Sequence, residues 1–266
     1  MSKLGDFLRA RRDAITPAEV GLPSGPRRRT PGLRREEVAV LAAISPTYLA
    51  FLEQGRDVRP SQQVLDALAA TLHLTPAERD YIHTLVHGTS PGPEPELTET
   101  LSPEIFELVR RLDPHPTYVT GRRWDILAAN RAARLLWTDW NALPPSERNL
   151  LLWMFTAPQA RYVFVEWEAE AAAQLARYRA ASVRHQDSAS FQELNRLLKA
   201  GSPLARALWQ RHNIAPLSSG RKLLRHHQLG ELELRHTVLQ VADNPEQKLV
   251  TFTSAPADME RIAALL

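Results

Sequence analysis

Apolar residues recur three or four positions apart through the first ninety residues, a spacing that predicts short amphipathic helices. Leu4, Phe7 and Leu8 share one face of the first helix. The second helix, over residues 35–42, has Val38, Leu41 and Ala42 on one face. Hydroxyl residues that suit N-caps open the remaining helices, namely Ser45, Ser61 and Thr75. The pattern therefore predicts an all-α region of about five helices.

The pattern after residue 100 is mixed. The segments "TYVTG" (117–121) and "DILAAN" (125–130) alternate like strands and are separated by a turn, which predicts a β-hairpin. Asn130 is placed to cap a helix through Trp137, and a long alanine-rich helix is expected from about Gln159 to His185. Three strand-like runs follow, "KLLRHH", "ELELRHTVLQVA" and "KLVTFTS", before a short final helix. This order predicts an α+β domain with one antiparallel sheet.

The segment "HGTSPGPEPELTE" (87–99) combines prolines, glycines and acidic residues without any apolar period. Such a composition is typical of an inter-domain linker, and 266 residues exceed one typical domain. We therefore predict a helical domain over residues 1–88, a linker over 89–100 and an α+β domain over 101–266.

Composition and charge narrow the functional class. The chain has no cysteine, a charged N-terminus and no apolar run long enough to span a bilayer, so we expect a cytoplasmic protein without disulfides or membrane segments. The net charge is only +3, but residues 1–60 hold eleven cations and seven anions. This clustering favours a polyanionic partner for the N-terminal region.

Residues 35–54 predict a helix-turn-helix unit with its turn at Ala43 and Ile44. Leu49 and Leu52 would face the first helix, which leaves the other side of the second helix to enter a major groove. Arginines before the first helix and after the second helix of the unit would contact the DNA phosphate backbone. The basic loop that precedes the unit could reach a neighbouring groove. The candidate DNA-binding residues are Arg28, Arg29, Arg34, Arg35, Ser45, Pro46, Thr47, Tyr48, Phe51, Gln54, Arg56 and Arg59. Alternatively, Tyr48 and Phe51 are core residues and the loop arginines are simply solvated.

Several separated motifs carry a resemblance to a known family. "RRRTPGLRREEVA", "LEQGRD", "RPSQQVLDALA", "ERNLLLWMF", "GRKLLRH" and "GELEL" are similar to segments of the MmyB-like regulators. Residues 34–74 resemble the phage-repressor (XRE) class of helix-turn-helix domain. The resemblance implies a DNA-binding domain joined to a PAS-like domain that binds a fatty-acid-like molecule. It also implies an ion pair between Glu53 and Arg12 that fixes the angle of the second helix.

Some positions depart from the resembled pattern. Ala43 stands where the class often has glycine, so the turn either avoids a positive φ or accepts strain. Pro46, Thr47 and Phe51 replace the usual Gln, Asn or Arg, which limits base readout to contacts such as a thymine methyl. One short helix with so few base contacts leads us to expect a homodimer.

All six tryptophans lie in the second domain, where aromatic residues either form a core or line an apolar pocket within it. A fatty-acid-like ligand would also need a cation for its head group. Arg225 is the candidate for this cation, because it alternates with Leu224 in a predicted strand. The other cations considered are Arg122, Arg123, Arg221 and Lys222. The candidate ligand-binding residues are Tyr118, Trp124, Asn130, Trp153, Phe155, Tyr162, Trp209 and Arg225.

Other chemistries find little support in the sequence. His212, His226, His227 and His236 have no carboxylate at a helical ligand spacing nearby, so we expect no metal. No nucleophile elbow, P-loop or dinucleotide fingerprint is present, so we expect neither an enzyme nor a bound cofactor other than a possible fatty acid. The alternatives are an enzyme or a haem- or flavin-bearing domain with an accessory DNA-binding module, and a protein-interaction adaptor.

Overall fold

The computed structural model describes residues 2–23, 30–88, 99–185 and 188–266. The chain divides into two compact units, one formed by residues 1–91 and 210–215, the other by residues 92–209 and 216–266. The predicted boundaries at residues 88 and 101 stay predictions, because most of the linker lies outside the described residues. Among the described helices, none has the length and apolar character needed to cross a bilayer.

The first unit is helical, and its N-caps are those expected from the sequence. The Ser45 side chain accepts a hydrogen bond from the Tyr48 amide at 3.0 Å, and Thr75 and Glu78 form a reciprocal capping box. The helices are α1 (Lys3–Ala14), α2 (Arg35–Leu41), α3 (Pro46–Gln54), α4 (Gln62–Thr71) and α5 (Pro76–His87), with a short 3-10 helix at Pro17–Val20. The predicted all-α region is confirmed.

Helices α2 and α3 form the helix-turn-helix unit. Val38 and Ala39 of α2 are fully buried against Leu49 and Leu52 of α3. Leu41 departs from its predicted place on the packed face, since it is 41% exposed. At 100° per residue it lies roughly 100° from the centre of the buried stripe that Val38, Ala39 and Ala42 define.

The turn between these helices accepts backbone strain. Ala43 has φ of 53°, in the left-handed region that glycine adopts more easily. A side chain there costs about 1 kcal/mol. Of the two possibilities that the sequence left open, the strained turn is therefore the one observed.

A buried carboxylate joins three segments of the first unit. Glu53 of α3 is fully buried, and Arg12 of α1 donates to it through Nε at 2.7 Å. Arg35 at the start of α2 donates to the other carboxylate oxygen at 2.6 Å. A Cβ at Gly5 of α1 would lie 2.5 Å from the Glu53 carbonyl oxygen, so only glycine allows this close crossing. The predicted pair of Glu53 with Arg12 is confirmed, and Arg35 adds a second cation.

The second unit is an α+β domain, as predicted. Its strands are β1 (Thr117–Thr120), β2 (Ile126–Ala129), β3 (Gly220–His226), β4 (Gly230–Val241) and β5 (Asn244–Thr253). Its helices are α6 (Pro103–Arg111), α7 (Arg131–Leu136), α8 (Leu150–Thr156), α9 (Pro158–Val163), α10 (Trp167–Ser182), α11 (Ala189–Gly201), α12 (Pro203–Gln210) and α13 (Pro256–Ala263), with 3-10 helices at Trp140–Ala142, Pro145–Glu147 and Val183–His185.

The alanine-rich segment is not one helix. It divides into α9 and α10, because Phe164 forms a β-bridge with Leu224 and the Val165 amide donates to the Leu223 carbonyl oxygen at 3.1 Å. These backbone bonds to β3 replace the helical bonds that a continuous helix would need, which local propensity alone does not reveal.

The five strands form one antiparallel sheet in the order β2-β1-β5-β4-β3. The hairpin predicted for β1 and β2 is confirmed. One face packs against the helices that carry most of the aromatic core, while Ile105, Val109 and Leu112, on and just after α6, pack against the other face. Along β3, Lys222, Leu224 and His226 are buried, whereas Arg221, Leu223 and Arg225 are exposed. The direction of each β3 side chain is therefore set by its position within this alternation.

Replacing Glu53 by alanine should destabilise the first unit by about 3 kcal/mol, because two cations lose their buried partner. The six tryptophans all lie beyond residue 123, so their fluorescence reports only the second unit. Both units contain helices, so the first unit is reported by the part of the circular-dichroism transition that has no tryptophan counterpart. We expect this part to fall by more than about 10 °C, while the tryptophan transition stays in place.

Glu36→Ala is the matched control, because Glu36 is an exposed carboxylate in the first turn of α2. It should lower the melting temperature by much less than Glu53→Ala does. Equal melting of the Glu53 variant and the parent chain would contradict the anchoring role of this carboxylate.

Candidate functional site

The first unit presents one surface formed by the beginning of α3 and the loop after it, here called the α3 face. Ser45, Pro46 and Thr47 are exposed at its start, and Gln54, Arg56 and Arg59 are exposed at its end. Tyr48 and Phe51 lie between them and are half-buried. Tyr48 also packs against the core of the unit, so only part of its ring is available on the α3 face.

Arg56 is held in place on the α3 face. Gly55 ends α3 in the left-handed conformation at φ of 69°, which turns the chain back over the helix. The Arg56 guanidinium then lies 4.4 Å from the centre of the Phe51 ring, and its Nε donates to Gln54 at 3.0 Å. A cation fixed by stacking and a hydrogen bond loses less side-chain entropy when it binds an anion.

The arginines before α2 differ in what they contact. Arg34 is exposed and its backbone amide donates to Glu37 at 2.6 Å, so this first-turn amide already has a partner. Arg35 pairs with Glu53 but keeps 41% of its side chain exposed. Arg28 and Arg29 lie outside the described residues. The α3 face thus carries small and aromatic groups between arginines, an arrangement that suits a groove bounded by phosphates.

The predicted ligand-binding residues of the second unit separate into different environments. Tyr118, Trp124, Trp153 and Phe155 are buried in the aromatic core. Trp209 is half-buried between Arg179 and Lys199, whose charged groups lie 4.8 and 5.1 Å from its ring centre.

Asn130 serves the backbone instead of a ligand. Its side-chain oxygen accepts from the amides of Thr117 and Ala133, each at 3.0 Å. Its side-chain nitrogen donates to the His115 carbonyl oxygen at 2.8 Å. This residue therefore caps α7, as predicted, and its polar atoms are already used by the fold.

Two predicted ligand contacts face solvent. Tyr162 is 73% exposed on α9, because the break before α10 turns this helix so that Ala160 and Val163 are buried instead. Arg225 points to the exposed face of the sheet and donates to Glu231 at 3.2 Å. Lys222, three residues before Arg225 and on the same side of β3 as Leu224, points inward instead. The two-residue period of a strand is the sequence signal that places Lys222 beside Leu224.

Two of the cavities in the second unit include predicted ligand-binding residues. The sheet cavity, of about 30 Å³, lies between the inner face of the sheet and α10. It is lined by Tyr118, Thr120, Trp124, Leu150, Gln174, Arg177, Leu217, Ser218, Lys222, His236, Val238, Lys248 and Val250. The helical groove, of about 650 Å³, lies beside α8 and α11. It is lined by Leu143, Ser146, Glu147, Leu152, Trp153, Thr156, Ala157, Leu197, Ala200 and Gly201.

The two cavities differ in chemistry. The groove is mainly apolar and includes Trp153 from the predicted set, whereas the sheet cavity includes Tyr118 and Trp124 but is lined by several cations. Burial lowers the pKa of Lys222 despite its pairing with Glu170. Burial also lowers the pKa of Lys248 and, with the nearby charges of Lys222 and Arg177, that of His236. An apolar chain fits the groove, and a polar group fits the sheet cavity.

Metal chemistry has no assembled site in the part of the chain that the structure describes. No cluster of three or more His, Asp or Glu side chains close enough to share an ion is found there.

Comparison with known proteins covers both units. Residues 101–266 match the family model of the MmyB-like transcription regulator ligand binding domain, and residues 3–82 match that of a helix-turn-helix domain. No curated protein gives a match to the chain.

Proposed function

The chain belongs to the MmyB-like transcription regulators, and we propose that it binds DNA through the α3 face as a homodimer controlled by a fatty-acid-like ligand. That it is a DNA-binding transcription regulator with a ligand-binding domain follows from the two family matches. The observation that carries the proposed DNA contact is the exposed start of α3 followed by the held guanidinium of Arg56.

Phosphate contacts dominate the proposed DNA complex. Arg34, Arg56 and Arg59 are exposed cations around α3, and each neutralised phosphate releases counterions from the duplex. Pro46 and Thr47 offer only small groups to base edges, at positions where the phage-repressor (XRE) class often has Gln, Asn or Arg. Two copies on neighbouring half-sites would double these few base contacts, which is why we propose a dimer.

The helical groove is the proposed ligand site. Its volume of about 650 Å³ lies within the range of pockets that hold small molecules. Leu143, Leu152 and Leu197 give it an apolar lining that suits an acyl chain. Trp153 lies in the same lining, so an entering ligand would change its surroundings.

We propose a cytoplasmic protein without enzymatic activity or a bound haem or flavin. The α3 face and the groove supply binding surfaces, and the regulator architecture gives a role to both. A visible absorption band that co-purifies with the chain would instead favour the alternative of a cofactor-bearing domain.

Replacing Arg56 and Arg59 together by alanine should weaken binding to all duplex sequences by similar factors. Two lost phosphate contacts should reduce the slope of log affinity against log salt by about 2. Fluorescence anisotropy with a labelled mixed-sequence duplex over a salt series measures both quantities. Arg110→Ala, an exposed arginine of α6, is the control and should change neither.

Thr47→Ala separates base readout from phosphate contact. It should alter the sequences that the chain selects from a random duplex pool while the salt slope stays that of the parent. For the double variant of Arg56 and Arg59, an unchanged affinity for DNA at low salt would contradict the proposed position of the DNA phosphate backbone beside these residues.

Myristate should raise the melting temperature of the second unit, because a ligand that binds only the folded form adds stability, about 2.7 kcal/mol at one hundred times its Kd. Leu197→Gln, in the groove, should weaken myristate binding about fivefold or more through lost apolar contact. Leu223→Gln is the control, since Leu223 is similarly exposed but lies on β3 outside the groove. Tryptophan fluorescence and thermal melting provide the readouts, and no change in either at saturating myristate would refute the fatty-acid proposal.

A further inference from the structure

The sheet cavity gathers three cations at one place in the second unit. Lys222 of β3 and Lys248 of β5 are only 6% and 5% exposed, and Arg177 of α10 reaches the same cavity. Buried charges are costly unless each has a partner, so a cluster of three is a feature that needs an explanation.

The surrounding carboxylates balance this charge only in part. Glu170 accepts from Lys222 and, at 3.1 Å, from Gln174 through one oxygen, Oε1, which also lies 4.0 Å from Arg177. Glu246 and Glu99 act on Lys248 from a greater distance. Within the described residues, the Glu170 carboxylate therefore lies within ion-pair distance of two of the three cations, Lys222 and Arg177.

Lys248 is the cation with the weakest local pairing. Its Nζ donates to the Glu246 carbonyl oxygen at 3.1 Å and lies 4.3 Å from the centre of the Trp124 ring. In the part of the chain that the structure describes, it makes no ion pair with a carboxylate. Two of its three N–H donors can therefore serve another acceptor.

Two further polar atoms of the cavity lining are buried without a partner. Among the described residues, His236 Nδ1 and Arg177 Nε make no hydrogen bond. His236 is held through its other ring nitrogen, 3.1 Å from the Ser218 carbonyl oxygen. Because Nε2 donates to that carbonyl oxygen, Nδ1 of the neutral ring is an acceptor, so of these two atoms only the Arg177 Nε–H can donate to an anion. A buried donor without a partner indicates a polar group from outside the chain.

We propose that the sheet cavity binds the carboxylate of a small organic acid, with Lys248 and Arg177 as its principal partners. A volume of about 30 Å³ admits roughly two water-sized groups, which suits a carboxylate and excludes an acyl chain. The oxygens of the anion accept from Lys248 Nζ and Arg177 Nε, and its charge opposes that of Lys248, which no carboxylate contacts directly among the described residues. This site is separate from the helical groove and does not depend on the ligand proposed there.

The test uses the full chain and acetate as the probe. At constant ionic strength, replacing sodium chloride by sodium acetate should raise the tryptophan-detected melting temperature in a saturable way, and saturation-transfer NMR should detect bound acetate. Equal behaviour in chloride and acetate, or no saturation transfer, would overturn the proposal.

Lys248→Met should remove the acetate response, with an affinity loss of about tenfold or more, as expected for a charge-assisted hydrogen bond. Without acetate this variant should melt no lower than the parent, because it removes a buried cation without an ion-pair partner. Arg225→Met, which removes an exposed cation from β3, is the control and should respond to acetate like the parent. A Lys248 variant that retains the acetate response would refute the assignment.

The groove variant separates this inference from the proposed function. Leu197→Gln should keep the full acetate response while it weakens myristate binding, so either proposal can fail without the other. Independent binding of acetate and myristate would support two separate sites. Displacement of myristate by acetate would contradict the separation of the sheet cavity from the ligand site in the groove.

Discussion

The buried Glu53 carboxylate is the interaction on which the DNA-binding unit depends. It receives Arg12 from α1 and Arg35 from α2 while itself belonging to α3, so one side chain fixes the relation of three helices. The close approach at Gly5 brings α1 within reach of this carboxylate. Because the angle of α3 sets the position of the residues on the α3 face, this internal charge network holds the surface that we propose for DNA contact.

The second unit depends on a different constraint, the alternation of side chains between the two faces of the sheet. The inner face carries aromatic core residues and also Lys222, Lys248 and His236, all nearly fully buried. Placing cations in such a face opposes stability unless they are paired, and the pKa values of both lysines are lowered by burial. The proposed carboxylate site gives this polar patch within an apolar core a role, and the apolar groove beside α8 and α11 is the second, chemically different proposed site.

Local signals were sufficient where a short segment determines its own structure. The caps at Ser45 and Thr75, the capping role of Asn130 and the hairpin of β1 and β2 all follow from residues within a few positions of one another. They failed where a distant segment competes for the same backbone groups. Phe164 and Val165 leave the helix because β3 supplies them with backbone partners about sixty residues further along the chain.

The sequence by itself determined the two-part architecture, the helix-turn-helix unit, the α+β domain and the pairing of Glu53 with Arg12, because periodicity, caps and family motifs record these features directly. Only the tertiary structure decided which side chains share a cavity. Asn130 is consumed by backbone amides, Tyr162 and Arg225 face solvent, and Lys222, Lys248 and Arg177 meet beneath the sheet. These three cations come from β3, β5 and α10, and their proximity arises from the strand order and the packing of α10, which no local pattern encodes.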